Sequence, residues 1–148
     1  MNQQDSVAPD DDISAIVLEQ AERLFRDGIS REVLQSADEG RWQASLWDLV
    51  EQSGLHLALV AEEHGGVGLP PGEAFRLIRR SAYHALPLPL AETMLAAALW
   101  SEASGEVPIG PCSLAPVLPE DRLTFRRRGA DCEITGVAQH PGTSKGVM

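Results

Sequence analysis

The chain has 148 residues, with 22 Asp and Glu against 12 Lys and Arg, a formal net charge of −10 at pH 7. That balance argues against nucleic acid and against an anionic membrane surface as partners, because both affinities come from basic groups meeting phosphates. With 43% hydrophobic and 23% charged residues the chain can fold around a core, and no run approaches the roughly 18–20 apolar residues of a membrane span.

Residues 1–10 are polar, carry no hydrophobic period and read as a disordered tail. They include neither a basic n-region nor an apolar h-region. Cys112 and Cys132 make no disulfide framework and no metal spacing. The expectation is a cytoplasmic protein with free thiols. Asp11 or Asp12 is expected to N-cap a first helix. Ile13, Ile16, Val17, Ala21, Leu24 and Phe25 follow at helical spacing, with Gly28 as the stop. Arg31 to Ala37 allows a short helix. Ser45 is expected to cap the next, with Leu46, Leu49 and Val50 on one face and Gly54 ending it. Leu57-Ala58-Leu59-Val60 is too short to assign, and residues 61–70 are rich in turn formers.

Pro71 suits the first position of another helix, burying Ala74, Phe75, Ile78 and Ala82, and Leu86 if it runs that far, with Arg76, Arg79 and Arg80 on the other side. Pro87 and Pro89 end it. The next helix is expected from Leu90 to Ser104, with Gly105 as its stop. Its stretch Met94-Leu95-Ala96-Ala97-Ala98-Leu99-Trp100 is apolar on every face, which calls for burial all round and predicts the centre of a bundle. Beyond residue 111 the texture turns to strand: Ser113 to Leu118, Leu123 to Arg127 and Cys132 to Thr135, with Gly129-Ala130-Asp131 as a hairpin connection. Charge shifts at the same place. Residues 1–40 hold 10 acids and 3 bases, whereas residues 112–148 hold 4 and 5. Pro108, Gly110 and Pro111 cluster there, which predicts a boundary. The fold class expected is mainly α, an all-α bundle over 11–110 followed by an incomplete β segment over 111–148.

The chemistry-bearing residues are sparse. Gly65, Gly66, Gly68 and Gly72 fit neither phosphate-loop spacing and have no Lys nearby, so they read as a turn needing positive φ. Glu62-Glu63-His64 lacks a second His at i+4 and reads as a solvated loop, with no metal expected. His56, His84 and His140 are isolated. Arg126-Arg127-Arg128 reads as a solvated strand end, the alternative being a contact with an anionic cofactor or CoA phosphate.

Two runs carry a family resemblance. One is Leu46-Trp47-Asp48-Leu49-Val50-Glu51-Gln52-Ser53-Gly54-Leu55 followed by Leu59-Val60-Ala61-Glu62-Glu63-His64-Gly65-Gly66-Val67-Gly68-Leu69. The other is Leu86-Pro87-Leu88-Pro89-Leu90-Ala91-Glu92-Thr93-Met94-Leu95-Ala96-Ala97-Ala98-Leu99. Together they resemble the N-terminal helical domain of the acyl-CoA dehydrogenase family of flavoproteins, over about residues 11–111. Ala61 stands where that family usually has Pro. Cys112 to Leu118 and Glu133-Ile134-Thr135-Gly136 resemble the start of the family's middle β-domain, with Pro119-Glu120-Asp121 in place of its glycine-rich, Ser-containing loop.

The resemblance implies the N-terminal portion of an FAD-dependent enzyme that oxidises an acyl-CoA thioester to its α,β-enoyl form. The family's carboxylate base and its C-terminal four-helix domain lie outside the resemblance. The chain is therefore expected to be a truncated piece, inactive and without bound FAD by itself, and no catalytic residue is assigned. By position, Leu90, Thr93, Met94 and Ala97 are expected to form one wall of the acyl pocket. Expected partners are the acyl-CoA substrate in the complete enzyme and other dehydrogenase subunits, in a homo- or hetero-oligomer. The alternative is a non-catalytic helical interaction module, or a partner subunit of a complete dehydrogenase.

Overall fold

A computed structural model describes residues 9–114, 124–128 and 131–135. The protein is mainly helical. Among the described residues five α-helices run in chain order: α1 (Pro9–Gly28), α2 (Arg31–Asp38), α3 (Ala44–Gln52), α4 (Pro71–Tyr83) and α5 (Leu90–Ser104). Short 3-10 turns at Leu55–Leu57 and Glu62–His64 fill the stretch between α3 and α4. Two compact units divide the chain after Ser113.

In the first unit, α1 packs on α3 and α4, and α5 packs on α4 and on the 55–57 turn. The first helix begins at Pro9, ahead of the expected Asp11 or Asp12 cap, because proline is pre-set for a first helical turn. Its inner face is Ser14, Val17, Leu18, Ala21 and Phe25. Ile13 and Ile16, expected on that face, are exposed; they lie one helical step off the stripe that α3 and α4 cover. Gly28 is the last residue of α1, and a Cβ there would lie 2.9 Å from Leu46 Cδ1. A larger residue where α1 and α3 meet would push on the end of the Leu46 side chain.

Ser30 caps α2, its hydroxyl accepting from the Val33 N–H at 3.3 Å. Ser45 does not cap α3, which starts at Ala44 after Gln43. The Gln43 amide instead donates to the Arg41 carbonyl at 2.7 Å and to the Ser36 hydroxyl at 3.0 Å, tying the α2–α3 connection together. Trp47 joins Leu46 and Val50 in the interior, and Leu49 is exposed.

On α4 the buried residues are Ala74, Leu77 and Ser81. Phe75 is 66% exposed and Ala82 is exposed too, which corrects the expected face. Leu77 is the residue that sets the true stripe, since Ala74, Leu77 and Ser81 follow i, i+3, i+7. Ile78 is partly buried against the same core.

The largest correction concerns α5. It has an inner face of Leu90, Thr93, Met94, Ala97 and Ser101. Leu95 is exposed, Leu99 is 59% exposed and Trp100 56%. The helix is therefore not buried on all sides at the centre of the bundle. Its sequence is equally apolar around the axis, so composition could not say which face the neighbours leave open.

In the second unit, β1 (Thr124–Arg128) and β2 (Asp131–Thr135) pair antiparallel, with Phe125 opposite Ile134 and Arg128 opposite Asp131. Ser113 and Leu114 are not in a strand. The rest of the expected 113–118 strand, the 1–8 part of the expected tail, residues 129–130 of the hairpin connection and residues 136–148 lie outside the described residues.

Candidate functional site

The expected acyl-wall residues fall together at i, i+3, i+4 and i+7 on one face of α5. Leu90 and Thr93 retain 1% exposure, and Met94 and Ala97 none. Leu90 and Met94 belong to the same core cluster as Val17, Phe25, Leu55 and Leu77. None of the four borders the clefts described below. The buried Thr93 hydroxyl donates to the Cys112 carbonyl and accepts from the Cys112 N–H, each at 3.0 Å. The chain after Gly105 is thereby drawn back along α5. Ser113 adds a 2.7 Å hydrogen bond from its hydroxyl to the Glu92 carboxylate. The Cys112 thiol is free.

The Glu62-to-Gly68 run forms a closed turn. Leu57 C=O accepts from the N–H groups of Val60 and Val67, Val60 C=O from Gly68, Ala58 C=O from Leu69, and Ala61 C=O from His64 and Gly66. Gly65 and Gly68 have φ of 84° and 68°, as the turn reading requires. Gly66 is held by space instead: a Cβ there would lie 2.1 Å from the Val60 carbonyl oxygen. Glu62 and Glu63 are exposed on this turn. Among the described residues no group of three His, Cys, Asp or Glu is placed to hold a metal.

The richest polar constellation is one that sequence spacing did not single out. Glu22 on α1 meets both Arg80 and His84 at the end of α4. Arg80 Nη1 donates to Glu22 Oε2 at 2.6 Å, and His84 Nε2 lies 2.9 Å from Glu22 Oε1. The Arg80 hydrogen bond first, then that of His84, holds the Glu22 carboxyl below the ordinary carboxylate range, against a smaller cost of burial. The partners are 58 and 62 residues apart, so no local period could reveal them. Phe25 and Tyr83 both stand beside the His84 ring.

Two clefts flank this cluster, each of about 410 Å³. One is lined by Ser14, Ala15, Leu18, Glu19, Glu22, Glu73, Arg76 and Arg80. The other is lined by Glu22, Arg76, Arg79, Arg80 and Tyr83. A third, of about 490 Å³, lies along α1 and α3 at Leu24, Gly28 and Leu49. A flavin ring needs an enclosing apolar wall. The clefts beside Glu22 are walled mainly by charged side chains, and the inner-face residues of α5 are closed into the core. Neither the clefts beside Glu22 nor the inner face of α5 offers FAD such a wall.

Elsewhere, burial pushes the His56 imidazole down, against the opposing pull of Glu51 and the Val50 backbone. Its ring packs edge-on against Trp47 at 6.0 Å. Among the described residues no helix is long and apolar enough to cross a membrane. No protein-family model, curated protein or solved structure matches the chain.

Proposed function

We propose that residues 11–110 are the helical N-terminal portion of a protein of acyl-CoA dehydrogenase type, with the bundle fold of that family. The whole protein would use FAD to oxidise an acyl-CoA thioester to its α,β-enoyl form. One observation carries the reading. The Glu62-Glu63-His64-Gly65-Gly66-Val67-Gly68 run, its most specific sequence element, is a closed turn whose glycines are demanded by φ at two positions and by contact at a third. The run therefore behaves as one unit and not as a chance string of small residues.

No catalytic step is derived for this chain. The α-proton base belongs to parts of the family outside the resemblance, and neither the clefts beside Glu22 nor the inner face of α5 fits the flavin. Leu90, Thr93, Met94 and Ala97, enclosed as they are, hold α5 to the bundle. A part in an acyl wall would require their uncovering when further structure is present.

A second reading is favoured by a separate observation. Leu95, Leu99 and Trp100 turn an apolar face outward, which suits a non-catalytic interaction module or a subunit paired with a complete dehydrogenase. Both readings are tested by reading the coding DNA on each side of this chain and by isolating the protein from its native host. The dehydrogenase reading expects a β-domain and a second helical domain encoded alongside, and visible flavin absorption in the native species. A complete dehydrogenase on a separate co-purifying chain favours the partner reading. Neither flanking domains nor a flavoprotein companion would overturn both.

A further inference from the structure

The acidity of this chain is interrupted on one helix face. Arg76, Arg79, Arg80 and Tyr83 stand at i, i+3, i+4 and i+7 on α4, away from the buried Ala74, Leu77 and Ser81. With Glu22 they line a cleft of about 410 Å³, within the size range of a small-molecule site. Like charges at these spacings repel one another along a helix, so the cluster has a cost.

Two of the three guanidinium groups are held from the side. Arg76 Nη1 donates to both carboxylate oxygens of Glu73, at 3.2 and 3.0 Å. Arg80 Nη1 donates to Glu22, which His84 also engages. A guanidinium has five N–H donors in a planar fork, so Arg76 and Arg80 are positioned while keeping donors to spare. The Arg79 side chain makes no ion pair or hydrogen bond with another described residue. It supplies the surplus positive charge of the cleft, since Glu73 and Glu22 offset its two neighbours. Arginines already fixed by their own carboxylates lose less conformational freedom on meeting a ligand.

We propose that this face of α4 binds a phosphate or phosphomonoester group. Arg79 is the principal contact, the spare N–H groups of Arg76 and Arg80 flank it, and the Tyr83 hydroxyl is a further donor. A carboxylate has two oxygens and is satisfied by one guanidinium fork. A phosphate group offers more acceptor oxygens in a tetrahedral array, which suits several donors converging from one helix face. The site is independent of the acyl-CoA dehydrogenase reading.

The test is titration of the full chain, at ionic strength held constant with sodium chloride, with inorganic phosphate, glycerol 3-phosphate and vesicles containing phosphatidic acid. Binding is read by calorimetry and by backbone amide shifts. The expected result is saturable binding with shifts at residues 76–84. Arg79→Gln should weaken it about tenfold or more, as losing a charge-assisted hydrogen bond implies. Arg31→Gln, on the exposed side of α2, should leave it unchanged. Arg79 is exposed, and circular dichroism of the variant checks that the helices persist. Saturation by the soluble anions assigns a soluble phosphate as the source, and saturation by vesicles alone assigns a lipid headgroup. No binding by any of the three, or equal binding by Arg79→Gln, overturns the proposal.

Discussion

Thr93 and Cys112 are joined by two hydrogen bonds through a single buried hydroxyl, which donates to the Cys112 carbonyl and accepts from its N–H. One side chain thus satisfies both backbone groups of a residue 19 positions away. Thr93→Val keeps the shape and removes both bonds. We expect it to lower stability by about 1–3 kcal/mol, the cost of polar groups left unpaired, measured by urea unfolding. Thr93→Ser should recover most of that loss. Amide exchange at Cys112 should quicken in the Val variant alone.

The Glu22 clasp gives acid sensitivity with a definite sign. Its carboxyl is held below the ordinary 4.5 by Arg80 first and His84 second. The folded state therefore binds the proton less readily than the unfolded chain. The stabilisation is fully present above the unfolded value and is lost as pH falls through the lowered one. Melting temperatures taken from pH 7 down to pH 3 should decline more steeply in the native chain than in Glu22→Gln. Parallel curves would remove Glu22 from the account.

His56 acts in a higher window. Burial lowers its imidazole below the ordinary 6.5, so the unfolded chain takes up a proton before the folded one does. Stability is complete above pH 6.5 and falls as pH drops through the lowered value. His56→Gln should flatten that part of the curve and leave the Glu22 part in place.

Gly66 and Gly72 should respond oppositely to alanine. A Cβ at Gly66 collides with the Val60 carbonyl, whereas one at Gly72 meets nothing within 4 Å. We expect Gly66→Ala to cost more than about 2 kcal/mol through overpacking. Gly72→Ala, in the first turn of α4, should be neutral or stabilising by about 0.4–1 kcal/mol. Denaturant unfolding of the pair decides it.

The two faces of α5 make a further contrast. Met94 has no exposure, and Leu99 has 59%. Met94→Ala should cost about 2–5 kcal/mol, and Leu99→Ser should stay within about 0.5 kcal/mol in the isolated chain. A large loss in Leu99→Ser would mean that the outer face of α5 is covered after all.

How far the sequence speaks depends on the distance over which its signals act. Pro71 at the start of α4, Gly105 after α5 and the closed turn at residues 61–70 are local matters, and local residues announce them. The side each helix shows the core is harder. On α4 the exposed Phe75 competes with Leu77, and only packing by α1 decides between them. On α5 the stretch from Met94 to Trp100 is apolar on every side, and Glu92 and Glu102 mark the outer face only beyond its ends, so burial all round is the natural reading of a helix that in fact buries only one side. Leu90, Thr93, Met94 and Ala97 could be grouped by spacing. Whether such a group makes core or pocket depends on what lies opposite, which spacing does not encode. The Glu22 contacts with Arg80 and His84 are invisible for the same reason.

The turn between residues 57 and 69 also bears on the order in which the chain assembles. Its backbone bonds link residues three to eleven positions apart, so closing it restricts a short length of chain. The Glu22–Arg80 contact must gather 58 residues. The turn can therefore be in place before α1 finds α4, leaving that long-range docking as the slow event. Substitutions within the turn, which is formed before the slow event, then chiefly change how fast the protein folds. Contacts between α1 and α4 that close only after the barrier, such as those of Ala21 or Leu77, chiefly govern how long it stays folded.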